Sequence, residues 1–245
     1  MLLPKRKYEI LSVLSNSPLT NSEISGWLSI TPAAVSDHVK KLVSEGLVRK
    51  NGRRYSLTVK GLIILHAADV LERTMSVLEK NREFWEEHDL AAIPSHLLIR
   101  LGELGEYRII ESEENEVLKH KEKFMEIVSE SDWVRAVFGF FLPDYPPLLA
   151  KLSQHTDISV VVSRDVAVKL EGYRDVLKNF RGEMFVCDNI KLVCIAGSEG
   201  LCLGLFLKNG QYDVRRGVIS YDSSAVRWGV DLHDHYTKSV HLVKA

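Results

Sequence analysis

At 245 residues and 45% hydrophobic content, the chain is long enough to bury a sizeable core, and its length has room for two ordinary domains. No run approaches the ~18 consecutive apolar residues of a membrane span. MLLPKRKYE lacks the apolar stretch of a signal peptide, and Cys187, Cys194 and Cys202, an odd number in apolar surroundings, read as buried free thiols rather than a disulfide framework. A cytoplasmic protein with no membrane partner is expected. The net charge of −1 hides an asymmetry: residues 1–60 carry 10 basic against 4 acidic side chains, a balance of +6, which leaves −7 for residues 61–245. A basic face confined to one module is what phosphate neutralisation requires.

In chain order, KRKYEILSVLSN places Ile10, Leu11, Val13 and Leu14 on one side of a first helix that ends at Ser17-Pro18. Thr20 and Glu23 form a capping box that opens a second, short helix with Ile24, Trp27 and Leu28 as its apolar side. The third helix has both ends marked, by Thr31 as N-cap with Pro32 at its first position and by Gly46 as a left-handed stop. Val35, Val39, Leu42 and Val43 fall on its apolar stripe, which turns Thr31, Ala33, Ser36, Asp37, Lys40 and Lys41 outward. LVRK, Asn51-Gly52 and RRYSL then read as a hairpin on a type I′ turn, with Arg53 and Arg54 beside its tip. Three helices and a basic hairpin make a winged helix-turn-helix over residues 1–60. Its outer helix face would enter the major groove of double-stranded DNA, and its arginines would lie along phosphates.

From Val59 to His88 a single long helix is expected. Ile64, Ala68, Leu71, Met75, Leu78, Arg82 and Trp85 follow steps of 4 and 3, a heptad-like seam. Residues 61–90 are therefore read as a linker helix, with Ile64, Leu71, Met75 and Leu78 as its dimerisation residues in a homodimer.

Residues 91–245 alternate strand and helix character. EYRIIES, WVRAVFGF, DISVVV, EMFVCD, KLVCIAG and LCLGLFL read as strands. Helices are expected over 114–130, 145–155, 164–180 and from Ala225 to Val240. The early alternation argues for an α/β domain, whereas the strands from Glu183 to Leu207 look like antiparallel pairs, so the sheet should be mixed. The fold class is thus α+β: a winged helix-turn-helix, a long linker helix and a C-terminal α/β domain.

No enzymatic motif is present: the chain has no nucleophile elbow, P-loop, HExxH or dinucleotide fingerprint. His233 and His235 lie two residues apart, about 200° around a helix, so they do not share a metal; no catalytic residues, metal ligands or cofactor are expected. Candidates for orienting a small-molecule effector are Arg100, Tyr145 and Trp228, polar-tipped groups beside apolar segments.

The N-terminal module resembles the winged-helix regulators of the arsenic-responsive repressor type. IPSHLLIRLGEL at 93–104, LGLFLKNGQYD at 203–213 and SAVRWGVDLHDHY at 224–236 resemble the effector domain of archaeal regulators named for control of methanogenesis and filament growth. The resemblance covers most of the chain and implies an archaeal transcription factor with a sensory C-terminal half. It carries over no ligand-contacting residues, and at His233 and His235 the chain departs from the family's pattern. The reading is a dimeric DNA-binding regulator controlled by a small molecule; the alternative is a winged-helix protein-interaction module joined to a non-catalytic ligand-binding or assembly domain.

Overall fold

The structure is a computed structural model that describes residues 3–112 and 119–238, with the backbone alone for 119–122. The chain divides into two compact units, Met1–Met75 and Ser76–Ala245. That boundary falls later than the expected end of the DNA-binding module at residue 60.

The first unit holds α1 (Lys5–Asn16), α2 (Asn21–Leu28), α3 (Pro32–Ser44), the hairpin β1 (Val48–Asn51) and β2 (Arg54–Leu57), and most of α4 (Val59–Lys80). The capping box at the start of α2 is complete: the Glu23 N–H donates to Thr20 Oγ1 at 3.3 Å and the Thr20 N–H donates to the Glu23 carboxylate at 2.7 Å. Thr31 caps α3 in the same way, its Oγ1 accepting from the Ala34 N–H. Ile10, Leu11, Ile24, Val35 and Leu42 are fully buried where the three helices meet, each contributing about 1.5–3 kcal/mol. Two residues read as core lie outside it: Trp27 is 73% exposed and Val43 38%. α2 is only two turns long and buries Ile24 alone, so its apolar stripe is narrower than the spacing suggests.

The hairpin differs from its expected turn by one residue. Asn51 pairs with Arg54, so the two loop residues are Gly52 and Arg53. Gly52 has φ +60°, while Asn51 and Arg53 do not have positive φ. A left-handed first loop residue alone belongs to a type II′ turn, which needs glycine there, and not to type I′. The slip moves Arg53 to the tip and Arg54 into a strand. At the other side of β1, a Cβ on Gly61 would lie 2.0 Å from the Leu47 carbonyl oxygen, so only glycine lets α4 start this close.

The single long helix is not observed. α4 ends at Lys80, Asn81 leaves the helical region at φ −134° and ψ 53°, and α5 (Arg82–Glu87) begins afresh. The reason lies far along the chain. Val77 is among the last four residues of α4, whose carbonyls have no partner within the helix. Its oxygen accepts from Trp85 Nε1 at 3.1 Å and from the Tyr107 hydroxyl at 2.8 Å. The break lets Phe84 and Trp85 bury in the core of the second unit.

The second unit continues with α6 (Ser95–Leu98), a 3-10 turn (Leu101–Leu104), β3 (Arg108–Glu111), α7 (Lys119–Glu130), β4 (Trp133–Phe138), α8 (Tyr145–Leu152) and β5 (Asp157–Ser163). Then follow α9 (Arg164–Leu170), α10 (Arg174–Leu177), β6 (Glu183–Cys187), β7 (Leu192–Gly197), β8 (Gly200–Leu205), β9 (Arg216–Ser220) and α11 (Ser223–Thr237). One seven-stranded mixed sheet runs in the order β3-β9-β8-β7-β4-β5-β6, with β4, β5 and β6 parallel and the other pairs antiparallel. Successive strand residues face opposite sides. Val134, Ala136 and Phe138 of β4 therefore join the core under α7, α8 and α9, while Val137 joins the core under α5 and α11. Burial on both faces explains the apolar runs of β5 and β7.

Three expectations change here. Glu183–Cys187 is not part of an antiparallel pair; it lies at the sheet edge, parallel to β5. The helix expected over 164–180 breaks into α9, a 3-10 turn at Glu171–Tyr173 around Gly172, and α10. β9 was not anticipated, since only Gly217–Ser220 of its segment has strand character beside two arginines. α11 stops at Thr237; residues 239 and 240 of the expected helix, and 114–118 of the one before β4, lie outside the described residues.

Candidate nucleic-acid interface

α3 turns Ala33, Asp37, Lys40 and Lys41 to solvent with Ser36 half-exposed, because Val35, Val39 and Leu42 anchor its other side. Thr31 stands at the first end of this face, where it is both exposed and engaged as the cap. Lys40 Nζ lies 4.0 Å from Asp37, with both side chains more than three-quarters exposed. So loose a pair leaves the ammonium free to exchange its partner for a phosphate.

The two arginines expected to act together do different things. Arg53, at the tip of the wing, is exposed. Arg54 reaches back: its guanidinium donates to the Pro18 carbonyl oxygen at 2.7 Å and meets the Glu23 carboxylate at 3.3 Å. Thr20, by its N–H and hydroxyl, and Arg54 beyond it hold the Glu23 carboxyl below its usual range. Arg54 thus ties β2 to the start of α2. Sequence reasoning passed over two cations on β1. Arg49 and Lys50 are exposed, with Arg49 Nε donating to Ser56 Oγ at 3.1 Å and Lys50 Nζ 5.8 Å from the Tyr55 ring centre. The signal was present in LVRK, where two apolar residues that anchor the strand precede two basic ones. Arg49 and Lys50, on opposite faces of β1, and Arg53 at the tip give the wing three exposed cations.

The four residues expected at a dimer interface separate. Ile64 and Met75 are 36% and 46% exposed, Leu71 is half-buried, and Leu78 packs against the chain's own core beside Val77. Ala68 and Trp85 of the same seam are buried. Besides Ile64 and Met75, the apolar residues that α4 leaves to solvent are Val59 at 76%, Ile63 at 62% and Leu62 at 40%.

The three effector candidates have three different surroundings. Arg100 is clamped by Glu103 and Asp231, each at 2.8 Å, and the hydrogen bonds its guanidinium donates, to Glu103 foremost, push its pKa further above the ordinary arginine value. Trp228 is fully buried and its Nε1 donates to the Leu97 carbonyl at 3.0 Å. Tyr145 is buried against an apolar cavity, its hydroxyl without a hydrogen-bond partner among the described residues. His233 Nε2 lies 3.0 Å from Ser159 Oγ, whereas His235 faces His96 at 5.5 Å, so the two imidazoles diverge as their spacing requires. Among the described residues no three His, Cys, Asp or Glu side chains gather as a metal set, and no helix is long and apolar enough to cross a membrane.

The chain is similar to known regulators over both units. The arsR-family model of bacterial regulatory proteins matches residues 4–50, and the model of the middle domain of methanogenesis regulatory protein FilR1 matches residues 117–239. The FilR1 protein of Methanothrix harundinacea (strain 6Ac) is 25% identical across 95% of this chain and 54% of its own length, so the chain spans about half of that curated relative. TrmBL2, an archaeal chromatin protein, is 15% identical, covering 99% of this chain and 95% of its own at a TM-score of 0.46. A MarR/EmrR family regulator from Acinetobacter sp. ADP1 is 30% identical over 32% of this chain and 60% of its own, at a TM-score of 0.28. At those scores the two solved structures settle nothing further. The matched middle domain spans half of the chain, which therefore belongs to the FilR1 family of methanogenesis regulatory proteins, with an arsR-type helix-turn-helix at its N-terminal end.

Proposed function

We propose that this protein is a dimeric transcriptional regulator that grips double-stranded DNA with α3 and the wing, under the control of a small molecule bound by the second unit. The observation that supports it best is the combination on one unit of a solvent-facing helix carrying Ser36, Lys40 and Lys41 with a wing that exposes Arg49, Lys50 and Arg53. Side chains at Ala33, Ser36, Asp37 and Lys40 would read base edges, whereas the wing cations would neutralise phosphates. Thr31, at the helix start, and Lys41 flank that contact.

A homodimer supplies two recognition helices for two half-sites. The exposed apolar run Val59, Leu62, Ile63 and Ile64 on α4 supports pairing through the first half of that helix, with Met75 beyond. α4 also supports the control mechanism, because its residues up to Met75 belong to one unit and the rest to the other. An effector acts only through a difference in affinity for two arrangements of the dimer.

The deciding experiment is a salt titration of binding to the DNA upstream of the protein's own gene, with unrelated DNA as competitor. Selective binding that falls steeply with salt is expected. Absence of binding even at low salt would sink the proposal and favour a winged helix used for protein contacts.

A further inference from the structure

The four acidic side chains of residues 1–60 are not alike. Glu9 is paired with Arg6 at 2.7 Å, Glu23 with Thr20 and Arg54, and Glu45 with Lys7. Among the described residues Asp37 meets only Lys40, at 4.0 Å, and both side chains are more than three-quarters exposed. In a module whose charge balance is +6, the one loosely held carboxylate therefore stands on the outward face of α3, one turn from Ala33 on one side and from Lys40 on the other.

A carboxylate turned toward DNA has few partners. Phosphates repel it, and in the major groove guanine offers only its O6 and N7 acceptors and thymine its O4 acceptor beside a methyl group. Two amino groups remain, cytosine N4 and adenine N6, and they are not equivalent. Adenine N6 lies between two acceptors, its own N7 and the O4 of the paired thymine, so a carboxylate there meets negative partial charge on both sides. Cytosine N4 lies at one end of its pair's polar edge, with guanine O6 and N7 both to the same side. Asp37 and Lys40, three residues apart, share a helix face and present charges in the matching order. Asp37 can accept from the cytosine N4–H while Lys40 donates to guanine O6 or N7. One C·G pair satisfies both groups. On the other pairs the carboxylate faces an acceptor and stays unpaired, which discriminates by exclusion.

From this match we infer that Asp37 is the specificity-determining residue of α3 and that, together with Lys40, it reads a C·G base pair at one position of each half-site. The inference rests on the reading of α3 as the helix that enters the major groove, and the experiment separates the two.

Sites are selected by the full chain from random double-stranded DNA, and fluorescence anisotropy then measures affinity for the selected site and for every single base-pair change in it. The unaltered chain should require C·G at one position of each half-site and lose about tenfold in affinity with any of the other three pairs there. Asp37→Ala should bind all four pairs at that position nearly alike, keep its preferences elsewhere in the site, and bind unrelated DNA more tightly, because a charge that phosphates repel has gone. Asp37→Asn should move the preference at that position to A·T, since an amide pairs with adenine N6 and N7 together. Both variants should keep the unfolding midpoint of the unaltered chain, as the side chain is exposed. A selected site in which no position loses its preference with Asp37→Ala, a responding position that carries any pair but C·G, or an Asp37→Asn variant that still prefers C·G would overturn the inference and leave the DNA-binding reading standing. Failure to select any DNA would overturn both.

Discussion

Replacing Arg53 and Arg54 one at a time should give opposite phenotypes, although the sequence presents them as a matched pair. Arg53 stands at the tip of the wing and is exposed. If it neutralises one phosphate, Arg53→Ala removes one unit of counterion release, and the slope of log K against log salt should become shallower by about 0.9. Over a fourfold rise in salt the variant should then lose about 3.5-fold less affinity than the unaltered chain. Arg54 has its guanidinium 2.7 Å from the Pro18 carbonyl and 3.3 Å from Glu23, with the two ionic side chains 53% and 42% exposed. So exposed an ion pair contributes about 0.2–1 kcal/mol, and the hydrogen bond to Pro18 adds about 1 kcal/mol. Arg54→Ala should therefore lower stability by about 1–2 kcal/mol, which for a unit of this size is a fall of several degrees in the unfolding midpoint, while leaving the salt slope alone. Fluorescence anisotropy on labelled DNA at a series of salt concentrations gives the slope, and thermal unfolding gives the stability. An Arg54→Ala variant with full stability and a slope as shallow as that of Arg53→Ala would refute the division between tip and strand.

Changes at Ser36 or Lys40 should alter which DNA sites are preferred, whereas loss of Arg49 or Lys50 should weaken binding to all sequences alike; competition between operator and unrelated DNA separates these outcomes. Ile63→Glu, at a position 62% exposed, should leave the fold intact and shift sedimentation equilibrium to the monomer mass; an unchanged dimer would place the interface elsewhere. Asp213→Asn should cost about 3 kcal/mol, because it takes one partner from a buried ionic pair: Asp213 is 6% exposed and holds Arg216 at 2.9 Å and His88 at 3.2 Å. Burial alone would raise the Asp213 pKa, but the hydrogen bonds from His88, from the N–H groups of Arg215 and Arg216 and from the Arg216 guanidinium hold it well below the carboxylate norm. A depressed folded-state value means that its stabilisation is complete above about pH 4, the unfolded value, and is lost as pH falls further toward the folded one. Acid unfolding of the unaltered chain should show this loss, and Asp213→Asn should lack it.

Where an element's limits are written in local chemistry, the sequence reading and the structure agree. The Thr20–Glu23 box and the Thr31-Pro32 start place α2 and α3 because each involves residues three apart or fewer. Where the deciding contact is distant, the reading and the structure part. The heptad-like seam predicts one helix to His88, but α4 ends at Lys80 because the Val77 carbonyl is claimed by Trp85 and by Tyr107, 30 residues on. Apolar spacing cannot show which residues are already covered by the chain itself, so Ala68, Leu78 and Trp85 read like an interface and lie in or against the core. The parallel pairing of β6 with β5 is equally non-local, and a run such as EMFVC suits either direction.

The residue at the tip of the wing and the burial of the Tyr145 hydroxyl fail to show in the sequence for the same physical reason, that position by itself does not reveal direction. A shift of one residue in hairpin register reverses which side chains share a face, so Asn51-Gly52 and Gly52-Arg53 give turns of similar composition with different cations at the tip. Tyr145 could be picked out as a polar-tipped ring at the start of a helix, but nothing nearby in sequence announces that its hydroxyl would be buried without a partner. That follows only when β4, β5, α8 and α9 bring Phe138, Val162 and Leu170 around it. Both features also sit where the fold leaves something unfulfilled, a free guanidinium in one unit and a free hydroxyl in the other. Groups with local partners, Arg54 and Trp228 among them, already have their hydrogen bonds and hold the fold together. The Arg53 guanidinium, exposed at the tip of the wing, stays available to a phosphate, which is the physical ground for assigning DNA to it.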